Sequence, residues 1–356
     1  MTGRDRRAGS SQSEVMPRGE DSADISPPAP KVSIGMPVYN GAAFLEPAII
    51  SILNQTFADF ELVISDNGST DRTAEICAEF AARDPRIRYF RQERNLGAAP
   101  NHNFTVRQAR GEYFKWAAHD DIVEPEWLER CVEVLDRYPE VQLAFPRTLR
   151  IDETGAVMGR YPDYGGMRLM SSRPSERFGD VVCKQHNCVA IFGLARREEF
   201  VTTDLLSARE DSDRHLLADL ALRGQMFEIP EYLFKRRDHQ QAYSSSVPRN
   251  ERMAWWDTSR SEKITFPEWR SLKVYLELIG RSSISESDRS ACRRQLFRWL
   301  VGPKWYRQRW VKLLRDAFLG GYRYVRPLWP RPRSVATPKP EGGQRGENHD
   351  PEVGPE

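Results

Sequence analysis

Residues 111–127 read GEYFKWAAHDDIVEPEW. A run over 113–118, aromatic and apolar apart from Lys115, stops on two adjacent carboxylates, Asp120 and Asp121. A short apolar run that follows a glycine predicts a buried strand. A Pro-initiated helix from Pro125 comes next, so the paired acids stand at a strand's carboxyl end, where open α/β sheets take their ligands. Like charges side by side are unfavourable unless a cation sits beside them. Hard oxygen ligands there suit Mg²⁺ or Mn²⁺ holding a diphosphate. The plainer alternative is a solvated turn in which one Asp caps the next helix.

Working upstream, residues 31–36 (KVSIGM) predict a first strand, ended by Pro37-Val38-Tyr39-Asn40-Gly41. A helix follows with Phe44, Leu45, Ala48, Ile49 and Ile52 on one face. Residues 60–65 (FELVIS) predict a second strand running into Asp66-Asn67-Gly68-Ser69-Thr70-Asp71, with Ser69 or Thr70 as N-cap of a helix over 71–82. A short strand over 87–90, the polar loop Arg94-Asn95-Leu96-Gly97 and a helix ending near Gly111 complete the approach. Strand and helix alternate every 25–30 residues or so, the signature of βαβ units and a parallel sheet. Tyr39 and Asn40, then Asp66, then Asp120 and Asp121 all fall at strand carboxyl ends, so they define one cleft.

Downstream, the helix runs over 125–138 and a fifth strand over 141–145; residues 151–157 read as a hairpin with a Thr-Gly turn. Residues 160–185, rich in Gly, Ser, Arg and Tyr, predict a mobile loop over the cleft. A strand over 189–195 and a helix over 213–223 follow, with Leu216, Leu217 and Leu220 inward and Gly224 as its stop. Two short strands are expected at 226–229 and 232–235, and helical, Trp-rich sequence from about 250.

The 356 residues, formal net charge of +2 and 39% hydrophobic content allow one large domain with appendages or two modest ones. Near-neutral balance excludes a chain-wide nucleic-acid partner. Five scattered cysteines, of which only Cys183 and Cys188 lie close, read as reduced structural thiols of a cytoplasmic protein rather than a zinc site. No apolar run reaches the roughly 20 residues that span a bilayer. Residues 1–30 and 330–356 lack large apolar side chains enough to order, and disorder is expected in both.

A metal-diphosphate cleft serves several chemistries. A dinucleotide-binding fold would need G-x-G-x-x-G after the first strand, where PVYNG stands, and a P-loop is missing as well. A sugar-nucleotidyltransferase would want a Gly-rich loop with Arg and Lys at that point. The set actually present is VSIGMPVYNGAAFLEPAIISILNQTF, FELVISDNGSTDRTAEI, RNLGAAPNHN, GEYFKWAAHDDIVEPEWLE, SDRHLLADLALRG and IPEYLFKRRDH. In order and spacing it resembles glycosyltransferase family 2, nucleotide-diphospho-sugar transferases of the GT-A fold, over residues 31–245.

The resemblance implies a Rossmann-like, mostly parallel sheet flanked by helices, with residues 246–329 as a helical C-terminal extension. It implies an inverting, metal-dependent transferase that moves a sugar from a nucleotide-diphosphate donor to a glycan or lipid-linked acceptor hydroxyl, in cell-surface glycan or glycolipid synthesis. Pro37, Tyr39 and Asn40 would line the nucleotide pocket and Asp66 would accept a hydrogen bond from the base. Asp120 would hold Mg²⁺ or Mn²⁺ on the diphosphate, with Asp121 beside it. Asp213 would be the general base, with Glu210 and Asp211 as nearby rivals, and His239 would close over the diphosphate. Arg94 is a loop cation that a diphosphate could use. Two positions depart from the family pattern: Ala118 stands where an acid begins D-x-D, and Asn67 where D-D-G-S-T-D has its second acid. A non-catalytic glycan- or nucleotide-binding protein is the alternative; Asp66, Asp120 and Asp213 together argue against it.

Residues 289–333 hold thirteen Lys or Arg, one acid and nine aromatics. Over 303–319, Tyr306, Trp310, Leu313, Leu314, Ala317 and Phe318 share one helical face and Arg309, Lys312 and Arg315 the other. Such a helix either packs on the catalytic domain or lies on a membrane surface at the inner face.

Overall fold

The computed structural model describes residues 28–207, 211–239 and 267–301, with 256, 258 and 314 individually. The expectations for 1–27, for Glu210, for the rest of 303–319 and for 330–356 lie outside the described residues.

Among the described residues, nine strands form one sheet in the order β3-β2-β1-β4-β8-β6-β9-β5, with β7 paired to β6. The parallel part is β1 (Val32–Val38), β2 (Phe60–Asp66), β3 (Ile87–Arg91) and β4 (Tyr113–Trp116), registered so that Val32 faces Phe60 on one side and Tyr113 on the other. Antiparallel β8 (Leu194–Arg196) joins β4 to β6 (Val141–Ile151). Parallel to β6 runs β9 (Gln225–Arg237), whose outer edge takes the two-residue β5 (Ile122–Val123). Residues 117–121 therefore carry the chain from the middle of the sheet to its far edge, and Asp120 and Asp121 sit on that crossing.

Alternation along β4 divides the core. Phe114 and Trp116 join a cluster with helices α3 (Ala98–Gln108), α5 (Pro174–Cys183) and α7 (Ser212–Arg223). Tyr113 and Ala117 join the opposite cluster with α1 (Leu45–Leu53) and α4 (Trp127–Arg137). Lys115, the one charge in the strand, points to this second side and lies 3.9 Å over the Trp127 ring. Burial pushes its ammonium down to about 8. Helices α8 (Pro267–Arg281) and α9 (Glu286–Val301) share the first cluster through Tyr275, Leu278, Ile279, Cys292, Leu296 and Trp299.

Several expectations change. Neither Ser69 nor Thr70 caps α2 (Thr73–Arg83); the Asp71 carboxylate accepts the Thr73 N–H at 3.0 Å instead. The fourth helix begins at Trp127, because the Pro125 carbonyl is used by the Thr56 N–H. Residues 160–185 are not a loop over the cleft. They contain α5, whose Phe178, Val181 and Val182 are buried, and a preceding turn pinned by buried Tyr164 and Leu169. Residues 189–195 divide into a 3-10 turn (Val189–Phe192) and β8. The two short strands after Gly224 are one, β9, which stays paired to β6 through register shifts. The hairpin holds: β6 and β7 (Val157–Arg160) meet across a turn with Gly155 at φ 91°. Among the described residues, no helix is long and apolar enough to cross a membrane.

Candidate functional site

A cavity of about 410 Å³ opens at the carboxyl ends of β1, β2 and β4. Its first wall is the turn after β1. Asn40 takes a left-handed conformation (φ 49°), which Asn tolerates better than most side chains. Its Oδ1 accepts the Thr70 N–H at 2.9 Å, and its own N–H donates to Ser69 Oγ at 2.9 Å. Gly41 and Ala42 donate to Thr73 Oγ1 and Asp71 Oδ2. A side chain at Gly41 could not fit, since its Cβ would stand 2.4 Å from His119 Cδ2. Pro37, Tyr39 and Asn40 line the cavity as expected, with Tyr39 exposed.

Asp66 does not line it. The carboxylate is fully buried, accepts from the Ser69 N–H (2.8 Å) and the Tyr89 hydroxyl (3.1 Å), and lies 3.5 Å from Arg91. It braces the 66–71 turn. Asn67 is the residue that reaches the wall: its amide nitrogen donates to Asn95 Oδ1 and Gly97 O, and its oxygen accepts the Leu96 N–H. Arg94 is exposed and also absent from the lining, whereas Asn95 is present.

The acidic turn is stapled to the end of β9. Arg237 donates its backbone N–H to Asp121 Oδ1 (2.8 Å), its Nε to Asp120 O (2.9 Å) and its Nη1 to Asp152 O and Glu153 O. His239, two residues on, places Nε2 at 2.8 Å from Asp120 Oδ2; its buried Nδ1 has no partner among the described residues. Burial works against the Asp120 charge, but His119 and His239 outweigh it and hold the carboxyl below the usual range. Asp121 goes the other way. Burial, then the Asp120 charge, pushes it up to about 8.

Asp213 lies in the first turn of α7 and lines the same cavity. Its Oδ1 accepts the Arg214 N–H at 2.7 Å. Burial raises it above the ordinary carboxylate value despite that donor. The rival Asp211 is exposed and outside the lining.

Sequence reasoning passed over His102, Trp116, Asn187, Cys188 and Trp256, all of which line the cavity. Burial above all, and nearby His119, push His102 down to about 4, so its ring is neutral, with Nδ1 2.8 Å from Ala98 O. One signal was available: Ala98, Asn101 and His102 fall at i, i+3 and i+4 of one helix, a partly polar face on an element that must pack on a sheet.

A mostly parallel sheet whose strand ends carry a nucleotide-sized cavity, an imidazole-paired carboxylate and a second, separate carboxylate has the GT-A architecture. Residues 33–198 match the family model described as Glycosyl transferase family 2. The chain is 33% identical over 152 residues to chondroitin synthase of Escherichia coli, covering 42% of this chain and 22% of that protein. It is 35% identical over 133 residues to glycosyltransferase GlyG of Streptococcus pneumoniae serotype 4, covering 37% and 40%. The chain thus spans less than half of either relative's length. The fold is shared with S. aureus TarS (residues 1–349), at a TM-score of 0.57 and 16% identity over 76% of this chain and 73% of that one.

Proposed function

We propose that this protein transfers a sugar from a nucleotide-diphosphate donor to an acceptor hydroxyl with inversion. The observation that carries the reading is that Tyr39 and Asn40, the Asp120–His239 pair and Asp213 line one cavity. S. aureus TarS has been solved with UDP-GlcNAc and with UDP, which supports a uridine or related nucleotide as the donor's base. The base stacks at Tyr39 and meets the Asn67–Asn95 amides, on a turn that Asp66 keeps in place. The diphosphate lies at the acidic turn, with Arg236 and Arg237 in the lining to offset its charge.

The donor set at Asp120 fits a hard divalent cation. One ionised carboxylate and one imidazole nitrogen are in contact, and among the described residues no third His, Cys, Asp or Glu completes a site. Mg²⁺ and Mn²⁺ are held in this way, by one or two protein groups with phosphate oxygens filling the shell. Bound there, a cation would neutralise charge on the departing diphosphate. Asp213 takes the acceptor's hydroxyl proton as the bond to the sugar forms. A carboxyl raised above the ordinary range is the stronger base for that task, provided it stays ionised at working pH.

Nucleotide-diphosphate release from a panel of nucleotide sugars, with and without Mn²⁺ and with candidate glycan and lipid-linked acceptors, tests the proposal. One donor should be turned over, with metal, by the parent and not by Asp213→Asn. Release of nucleotide monophosphate, or undiminished turnover in EDTA, would discard it.

A further inference from the structure

His102, in the second turn of α3, is held at both its ends. Its carbonyl accepts the Trp116 indole N–H at 3.1 Å and the Thr105 hydroxyl at 2.7 Å. Its ring meets Trp116 edge to face, with centroids 5.6 Å apart. Ring Nδ1 stands 2.8 Å from Ala98 O, one helical turn back. A carbonyl can only accept, so in the neutral ring Nδ1 carries the proton and Nε2 the lone pair. Nε2 has no hydrogen-bond partner among the described residues, yet it is not sealed from solvent. The half-buried ring is part of the cavity wall, so that lone pair is offered to whatever fills the cavity. The polar groups beside it are already engaged. Asn101 gives both ends of its amide to Ser65, and Asn67 is tied to Asn95, Leu96 and Gly97.

We infer that His102 recognises the sugar being transferred: its Nε2 accepts a hydrogen bond from one of that sugar's hydroxyls. This rests on the transferase reading above. The place suits it. Helix α3 starts directly after the Asn95–Gly97 wall, and Trp116, against which the ring packs, ends the strand that leads into the acidic turn. A lone pair facing outward disfavours a phosphate oxygen, which is itself an acceptor. Two changes could adapt the ring to phosphate, and both are opposed. Burial works against protonation. Moving the proton to Nε2 would set the Nδ1 lone pair against Ala98 O and lose that hydrogen bond. With the base at Tyr39 and the Asn67–Asn95 amides, the sugar's hydroxyls are the groups of a nucleotide sugar left to satisfy Nε2.

The test is calorimetric affinity in the full chain, with Mn²⁺, for two ligands: the nucleotide sugar turned over in the panel above and the matching nucleoside diphosphate. His102→Ala should weaken the nucleotide sugar by about 5- to 30-fold, the effect of leaving a hydroxyl unpaired, and the nucleoside diphosphate by less than about two-fold. His102→Gln, whose amide oxygen can reach the place of Nε2, should recover most of the loss. One monodeoxy analogue of the sugar should bind the parent and His102→Ala equally. If His102→Ala fails to fold, His102→Leu, which keeps apolar packing on Trp116, is read in its place. Equal losses for the two ligands would assign His102 to the base or the diphosphate and overturn the inference. Unchanged nucleotide-sugar affinity, or a loss confined to acceptor KM, would overturn it too. In each of these cases turnover by the parent leaves the transferase reading standing. A parent that turns over no nucleotide sugar removes that reading and the inference with it.

Discussion

Asp120 and Asp213 line one cavity, and their neighbours push them in opposite directions. Two imidazoles stand by Asp120 and hold it acidic; Asp213 meets a backbone N–H, too little to offset its burial. The first environment suits a group that must stay charged against a cation, the second a group that must take up a proton. Identical side chains acquire separate work from what surrounds them. The distinction also shows in construction. Asp120 is fixed by partners 117 and 119 residues away, whereas the Asp213 carboxylate accepts from the N–H of the very next residue.

The widest gap should appear in a paired experiment. Asp213→Asn is expected to lower turnover by about 10²–10⁴ while donor affinity, read by calorimetry, stays within a few-fold. Asp120→Ala should abolish turnover and also the metal-dependent part of nucleotide binding. Equal loss of binding in the two variants would break the contrast. A smaller effect is expected at Asn67, where Asp would restore the acid of the family pattern. Its carboxylate would face two acceptors, Asn95 Oδ1 and Gly97 O, in place of an amide donor. Asn67→Asp should lose about 1–3 kcal/mol in urea unfolding; a variant as stable as the parent would mean that this network does not hold the turn.

The last effect belongs to Asp121, and its sign follows from linkage. Its folded value of about 8 lies above an unfolded value of about 3.9, so over that interval the unfolded chain is the more ionised. The contribution of the neutral carboxyl is complete below about pH 4 and is lost as pH climbs towards 8. Asp121→Asn keeps an acceptor for the Arg237 N–H and does not titrate. In metal-free buffer its Tm relative to the parent should therefore rise steadily from pH 5 to pH 8. A constant difference would show Asp121 ionised throughout.

Much of the first half of the fold was legible. β1, β2 and β4 are continuous apolar runs with polar ends, and α1 buries Leu45, Ala48, Ile49 and Ile52 as its periodicity requires. The second half resisted for identifiable reasons. Both β6 and β9 shift register near a proline, Pro146 and Pro230, which local reading takes as a strand end. The run Val189–Phe192 is apolar whether strand or 3-10 turn, since burial alone does not choose between them. In α5 the buried Arg177 and Asp180 satisfy their charges on Ala221 O and Arg168, so a packed helix has the composition of a surface loop. In the site, acids at strand ends announced themselves. Asp66 braces its own turn through the Ser69 N–H and the Tyr89 hydroxyl, a use of a strand-end carboxylate that sequence does not separate from facing a ligand.

The Arg237 staple has a consequence for when the site comes into being. The four parallel strands are complete once residue 116 has been made, yet the acidic turn acquires its fixing partners only with residues 237 and 239. A nascent chain halted before β9 carries a sheet whose outer strands are unpaired and two adjacent carboxylates with nothing to hold them. Contacts of such sequence separation form late and slowly. During synthesis, then, the turn after β2 can be in place before the acidic one, and an intermediate with the first turn formed and the second loose is the species expected to accumulate.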